Sequence, residues 1–233
     1  MKAIHWMLLV AGSLLLAACG KKETEGVSGV LEFKLQGAPL MIVDLGTEFK
    51  DPGVKVIYWG EDKSSEVKVS GELNTNKVGF YKLTYTFLNR DKLPTQTTRD
   101  IIVADPKVKT DLSGKYTVQD GTNRSYKGNV EAYSGYPVSI TRVAPGFFFV
   151  SDLFAGYYEF YRNRKTARQR MEGYVELKSD NSLVLHDSHV SQWDNSLDEM
   201  TDALYKPETS EITYQATWAG GEIRFTVMLK KNS

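Results

Sequence analysis

The sequence predicts an all-β protein built in two units, a sandwich followed by an antiparallel barrel or sandwich. Apolar and polar residues alternate with period two along most of the chain, and Gly, Pro, Asn and Asp interrupt that alternation at short intervals. No segment sustains helical spacing for more than about two turns.

The elements follow in chain order. Lys2 precedes an apolar run from Trp6 to Ala18, relieved only by Gly12 and Ser13. That run is shorter than the ~20 residues a spanning helix needs and suits the hydrophobic part of a secretion signal. Leu16, Ala17 and Ala18 then lead into Cys19, the single cysteine of the 233 residues. Leu-Ala-Ala-Cys resembles the lipobox of bacterial lipoproteins, in which the thiol receives diacylglycerol and the chain is cut before the cysteine. The resemblance implies a signal peptide over residues 1–18 and lipidation at Cys19. Each buried methylene contributes roughly 0.8 kcal/mol, so two or three acyl chains anchor a protein durably. With no second cysteine, the exported chain has no internal disulfide and relies on its core.

Residues 19–29, with Lys21, Lys22, Glu23 and Glu25, are charged and lack hydrophobic periodicity, as a flexible tether would. They also resemble the acidic export tag of Bacteroidetes lipoproteins. That implies a lipid-anchored place in the outer membrane, at the cell surface. Lys and Arg together number 29 against 29 Asp and Glu, a balance that argues against a general nucleic-acid or membrane-surface binder, though local clusters could still matter.

"YKLTYTFL" places Tyr81, Leu83, Tyr85 and Phe87 on one face and Lys82, Thr84 and Thr86 on the other. Similar texture at 30–35, 54–59 and 99–104 predicts a strand-built unit over residues 30–104. "ADPKVKTD" then brings proline and alternating charge, so residues 105–111 read as a linker. Strand texture resumes at "GKYTV" and runs to "IRFTVML", giving a second unit over residues 112–233.

Two hairpins have a predictable register. Gly220 and Gly221 accept the positive φ of a tight turn, which sets Trp218 opposite Ile223, Ala216 opposite Phe225, Tyr214 opposite Val227 and Ile212 opposite Leu229. A slip of one residue would expose that whole apolar set. In "YVELKSDNSLVLHD", a loop of Ser179 to Asn181 pairs Leu177 with Leu183 and Val175 with Leu185.

"GTEFKDPGVKV", "GELNTNKVGFYKLTYTFLN" and "TTRDIIV" together resemble the bacterial Ig-like domain found in Bacteroidetes surface proteins and some crystal toxins. The match spans about residues 33–103, with Asp51 to Gly53 and Gly79 to Tyr81 marking strand starts. It implies a sandwich of seven or so short strands. The segment "NRDKLPTQ" departs from that family's usual hairpin turn. "YSGYPVSITRV", "FFFVSDLFAGYY" and "YQATW" resemble the uncharacterised C-terminal β-domain of gut Bacteroidetes lipoproteins, for which a lipocalin-like barrel is expected.

Chemistry-bearing patterns are sparse. His186 and His189, flanking Asp187, sit at i and i+3, on opposite faces of a strand, and read as surface histidines at a strand end. Ser151 and Asp152 lack a Gly-x-Ser-x-Gly elbow and read as a turn. The expectation is no catalytic residue, no metal and no cofactor.

"FAGYYEFYRNRKTARQR" stands out instead. Read as a strand, it carries more aromatics than one face can bury, and Arg162, Arg164, Lys165, Arg168 and Arg170 follow closely. Either one aromatic set fills the core while a neighbouring loop covers the other and the basic run is solvated, or Tyr157, Tyr158, Tyr161, Arg162 and Arg164 are ligand-binding residues, with ring faces for sugars and guanidinium groups for carboxylate or sulfate. The expected function is non-catalytic glycan binding beside an outer-membrane polysaccharide import complex. The alternatives are an adhesive or structural envelope protein that binds another protein, and, if the barrel is hollow, a carrier of a small hydrophobic ligand.

Overall fold

A computed structural model describes residues 31–232. The signal, Cys19 and the tether lie outside the described residues. The first unit comprises β1 (Leu31–Leu35), β2 (Leu40–Asp44), β3 (Val54–Tyr58), β4 (Glu61–Asp62), β5 (Lys68–Ser70), β6 (Gly79–Leu88) and β7 (Pro94–Ala104). One sheet has the order β1-β3-β4, and the facing sheet has the order β2-β7-β6-β5 with β2 parallel to β7.

The alternation in β6 does what its pattern requires, burying Leu83, Tyr85 and Phe87 against Val43, Val56, Ile101 and Val103. Arg99, fully buried on β7, organises the Asp-Pro-Gly turn. Its Nε donates to the Tyr85 hydroxyl at 3.1 Å and lies 3.3 Å from Asp51, while Nη2 donates to the Gly53 carbonyl at 3.2 Å. The Tyr85 hydroxyl donates to Asp51 at 2.7 Å, closing the network. Two details differ from the sequence expectation. Trp59 leaves the strand with φ +54 and forms a two-residue turn with Gly60, and β7 starts already at Pro94, which shortens the irregular hairpin loop.

The second unit comprises β8 (Gly114–Val118), β9 (Asn123–Tyr126), β10 (Asn129–Ala132), β11 (Pro137–Ala144), β12 (Phe147–Val150), β13 (Glu172–Leu177), β14 (Leu183–His189), β15 (Glu199–Lys206), β16 (Glu211–Trp218) and β17 (Ile223–Lys231). β8 and β9 run end to end along one edge of β17, and β10 and β11 flank them in turn. The ten strands therefore make eight staves of an antiparallel meander. The sheet curls until β14 and β15 meet, where Ser182 bridges Leu204 and the Tyr205 N–H donates to the Asn181 carbonyl at 2.9 Å. Barrel-like closure, not a second facing sheet, is the outcome of the two forms expected.

Both predicted hairpin registers are present. Trp218 faces Ile223 and Ala216 faces Phe225 across the glycine turn, and Leu177 faces Leu183 across the shorter loop. In that loop Asn181 takes φ +66, the left-handed position of a three-residue hairpin.

The two units pack through β6 and β7 on one side and the β11–β12 turn with β13 and β14 on the other. Ile102 and Ala104 bury against Ala144 and Phe147, and Phe80 lies over Tyr174 and His186 with centroids 5.5 and 5.8 Å apart. Lys82 reaches Asp187 at 3.3 Å across the boundary. β7 runs away from the hairpin tip at residues 89–93 towards this interface, so the tip and the barrel occupy opposite ends of the first unit.

Candidate functional site

Between β12 and β13 the chain leaves the barrel wall over residues 151–171 and folds back as a plug. Asp152, 3% exposed, holds it in place: its carboxylate accepts N–H groups of Phe154 at 2.9 Å, Gly156 at 2.8 Å and Met171 at 3.0 Å. Burial pushes its pKa up to about 7, against the opposing pull of those three donors. Gly156 at φ +80 reverses the chain, and the Tyr161 and Arg162 N–H groups then bond five residues back, to the carbonyls of Gly156 and Tyr157. The segment is thus a widened helical turn, not the strand its aromatics suggested. Phe154 and Tyr157 go into the barrel mouth against Phe225.

The helical turn changes which predicted residues meet. Tyr157 is only 2% exposed, its ring stacked on Tyr161 at 5.4 Å and its hydroxyl donating to Glu131. Burial, then the Glu131 carboxylate, pushes the Tyr157 pKa up to about 12. Tyr158 is partly buried, edge-on to Trp193 at 4.9 Å and to Trp218 at 5.8 Å. Tyr161, 37% exposed, also lies 5.7 Å from Tyr133. Arg162 donates to Glu131 at 3.0 Å, and Arg164 is exposed.

Of the basic run, Arg170 is tied back in a two-pronged bond to Glu159, one arm at 2.9 Å. Arg162, Arg164, Lys165 and Arg168 are exposed. The Tyr157 hydroxyl, then Arg162 and Arg124, hold the Glu131 carboxyl below its ordinary range against a burial penalty. Arg124 in turn lies over the Tyr126 and Tyr157 rings, at 5.1 and 5.2 Å.

Sequence reading missed Trp193. It sits 39% exposed in the turn after β14, 5.2 Å from Trp218, and with Tyr158 and Trp218 it makes an aromatic shelf at the barrel mouth. A tryptophan amid the polar residues of "SQWDNS" was the available signal. The indole Nε1 of Trp218, 8% exposed, is buried without a hydrogen-bond partner.

Other features rank lower. The cavity between the barrel walls, lined by Leu112, Ile140, Val175 and Tyr214 among others, holds about 10 Å³. Ligand pockets measure about 300–1,000 Å³, so this interior is a packed core and gives no support to the hydrophobic-carrier alternative. A recess of about 660 Å³ over residues 72–77 is walled by one polar loop and Tyr81, whose hydroxyl donates to the Lys77 carbonyl at 2.8 Å. His186 is not the surface residue expected: it stacks on Phe80 and bonds Glu176 at 2.8 Å, because β14 faces the first unit there. His189 remains exposed, 3.9 Å from Asp194. Among the described residues no group of three or more His, Cys, Asp or Glu is arranged to hold a metal.

Residues 33–103 match the family model of the bacterial surface protein Ig-like domain, and residues 105–231 match a second family model, that of a C-terminal domain. Neither family description is catalytic. No curated protein matches. Among solved structures, the chain is similar to the lipoprotein BT2262 from Bacteroides thetaiotaomicron, at 31% identity over 87% of this chain and 100% of that one, with a TM-score of 0.50. A Clostridium perfringens ZmpB structure, CBM51-2 in complex with GlcNAc together with INT domains, is 15% identical over 52% of this chain and 29% of that one, with a TM-score of 0.28. A Bacteroides ovatus protein of unknown function is 13% identical over 81% and 70% of the two chains, with a TM-score of 0.29. The last two likenesses carry no weight for fold or function.

Proposed function

Because the chain belongs to the family of the Bacteroides thetaiotaomicron lipoprotein, and its residues 33–103 are a bacterial surface Ig-like domain, we propose that it is a surface-displayed, lipid-anchored protein that captures glycans without cleaving them. One observation carries this reading: the exposed Trp193, backed by the half-buried Tyr158 and the buried Trp218, forms an aromatic shelf at the open end of a filled barrel, with Arg162 and Arg164 on the neighbouring turn. An exposed indole offers a flat apolar face to a sugar ring, and guanidinium groups bind carboxylate or sulfate in pairs of parallel bonds. The favoured ligands are acidic glycans, in keeping with a place beside a polysaccharide import complex of the outer membrane. The Ig-like unit acts as the spacer that holds the shelf away from the anchor. This assignment moves the centre of the site from Tyr157, whose faces are covered, to Trp193 and Tyr158.

The test is a glycan array followed by titration of a uronate or sulfated glycan at low and high salt. Trp193→Ala should weaken binding by roughly 2- to 12-fold, the equivalent of about 0.5–1.5 kcal/mol for one aromatic contact. Arg162→Ala with Arg164→Ala should remove most of the salt dependence, since exposed charges act over about 8 Å at physiological ionic strength. Binding untouched by all three substitutions would overturn the site, and binding of neutral glycans alone would overturn the preference. A protein partner in place of any glycan would favour the adhesive alternative.

A further inference from the structure

The end of the Ig-like unit remote from the barrel carries an apolar tip that the glycan reading does not use. Trp59 is 50% exposed, Leu93 62% and Leu88 40%. The Arg90 guanidinium lies 5.4 Å from the Trp59 ring centroid, so the β3–β4 turn and the β6–β7 loop form one patch. Trp59 and Gly60, at φ +54 and +79, make a two-residue turn whose first position favours Asn or Asp. A bulky ring held at positive φ is an unfavourable choice for folding alone.

The position of the chain entry supplies the occupant. Leu31, the first described residue, pairs with Tyr58, immediately beside Trp59. It lies twelve positions after Cys19. For the tether that the sequence predicts, that length corresponds to a typical end-to-end distance of about 20 Å and a limit near ~40 Å. The tip is thus within reach of the expected lipid attachment point at Cys19. Tryptophan and arginine are side chains suited to the boundary between headgroups and acyl chains, and leucine is suited to the acyl side.

We infer that Trp59, Leu88, Leu93 and Arg90 dock at the headgroup and acyl-chain boundary of the lipid leaflet that carries the protein's own anchor. The contact is weak by itself and is populated because the tether holds the tip near the membrane. It orients the molecule so that β7 leads away from the bilayer and the aromatic shelf faces outward. This inference rests on the lipid-anchor reading of Cys19.

The experiment uses the anchored protein in phosphatidylethanolamine and phosphatidylglycerol vesicles that contain brominated acyl chains, which quench nearby indoles. Wild-type emission should fall on adding the brominated lipid, and Trp59→Asn should abolish that fall, since Trp193 and Trp218 lie at the far end of the molecule. Trp59→Asn should also raise the melting temperature, because Asn-Gly suits the turn, so loss of quenching will not reflect unfolding. Leu93→Asp should reduce quenching by half or more. Equal quenching in wild type and Trp59→Asn, or none in either, overturns the docking. A maleimide lipid coupled to Cys19 supplies the anchor independently of the cell. Missing native acylation would then sink the Cys19 reading, and missing quenching with the chemical anchor in place would sink the membrane contact.

Discussion

Replacing Asp152 by asparagine should remove a pH dependence of stability that the wild-type barrel carries. The carboxyl is buried, and its pKa rises from an ordinary 3.8 to about 7. Between those values the folded protein keeps a proton that the unfolded chain has released, so unfolding free energy falls as pH rises. The loss begins near pH 4, is complete somewhat above pH 7, and amounts to about 4 kcal/mol at most. Asparagine forfeits the acceptor for the Gly156 N–H, bonded at 2.8 Å in the wild type, which costs about 1 kcal/mol. Below pH 4 the variant should therefore be the weaker protein by that amount, and at pH 8 the stronger by up to about 3 kcal/mol. Urea unfolding of both proteins at half-unit steps from pH 4 to 8.5 measures this, and other titrating groups cancel in the difference. A difference independent of pH would refute the reasoning. A wild type that gains on the variant as pH rises would show that the three N–H donors outweigh burial.

Other outcomes follow from single contacts. Arg99→Met should cost about 3–5 kcal/mol in urea unfolding, because it removes the guanidinium that donates to the Gln36 and Ala38 carbonyls and to the Tyr85 hydroxyl inside the unit; a loss under about 1 kcal/mol would refute the network's importance. Gly173→Ala should lower the melting temperature by an amount equivalent to about 1–3 kcal/mol, since its Cβ would sit 2.5 Å from Leu153 Cδ1 and 2.9 Å from the Asp187 carbonyl oxygen; an unchanged melting temperature would show that the plug shifts freely. Cys19→Ala should abolish palmitate labelling and leave a soluble or unprocessed chain, and label that survives the change would refute the anchor.

The features legible in the sequence are those that neighbouring residues decide. Period-two alternation assigned Leu83, Tyr85 and Phe87 to one buried face, and the glycine turn set Trp218 against Ile223, because register errors there would turn an apolar row to water. The Asp-Pro-Gly turn was legible as a turn, but its clamp was not, since Arg99 lies 48 positions beyond Asp51. Arginine in a strand reads as exposed until a carboxylate and carbonyls converge on it. The plug was misread as a strand for a related reason: local aromatic density said strand, whereas Asp152 gathers N–H groups from as far as Met171 and Gly156 turns the chain back. The shelf needed the same long reach, for Trp193 and Trp218 are 25 positions apart and meet only because β14, β16 and the plug converge on one barrel mouth. Sheet closure at Ser182 and Leu204, and the stacking of His186 on Phe80, likewise depend on the curvature of the whole sheet and the docking of the two units. A local pattern constrains which side of a strand faces inward. Which distant side chains share that interior is decided by the path of the folded chain.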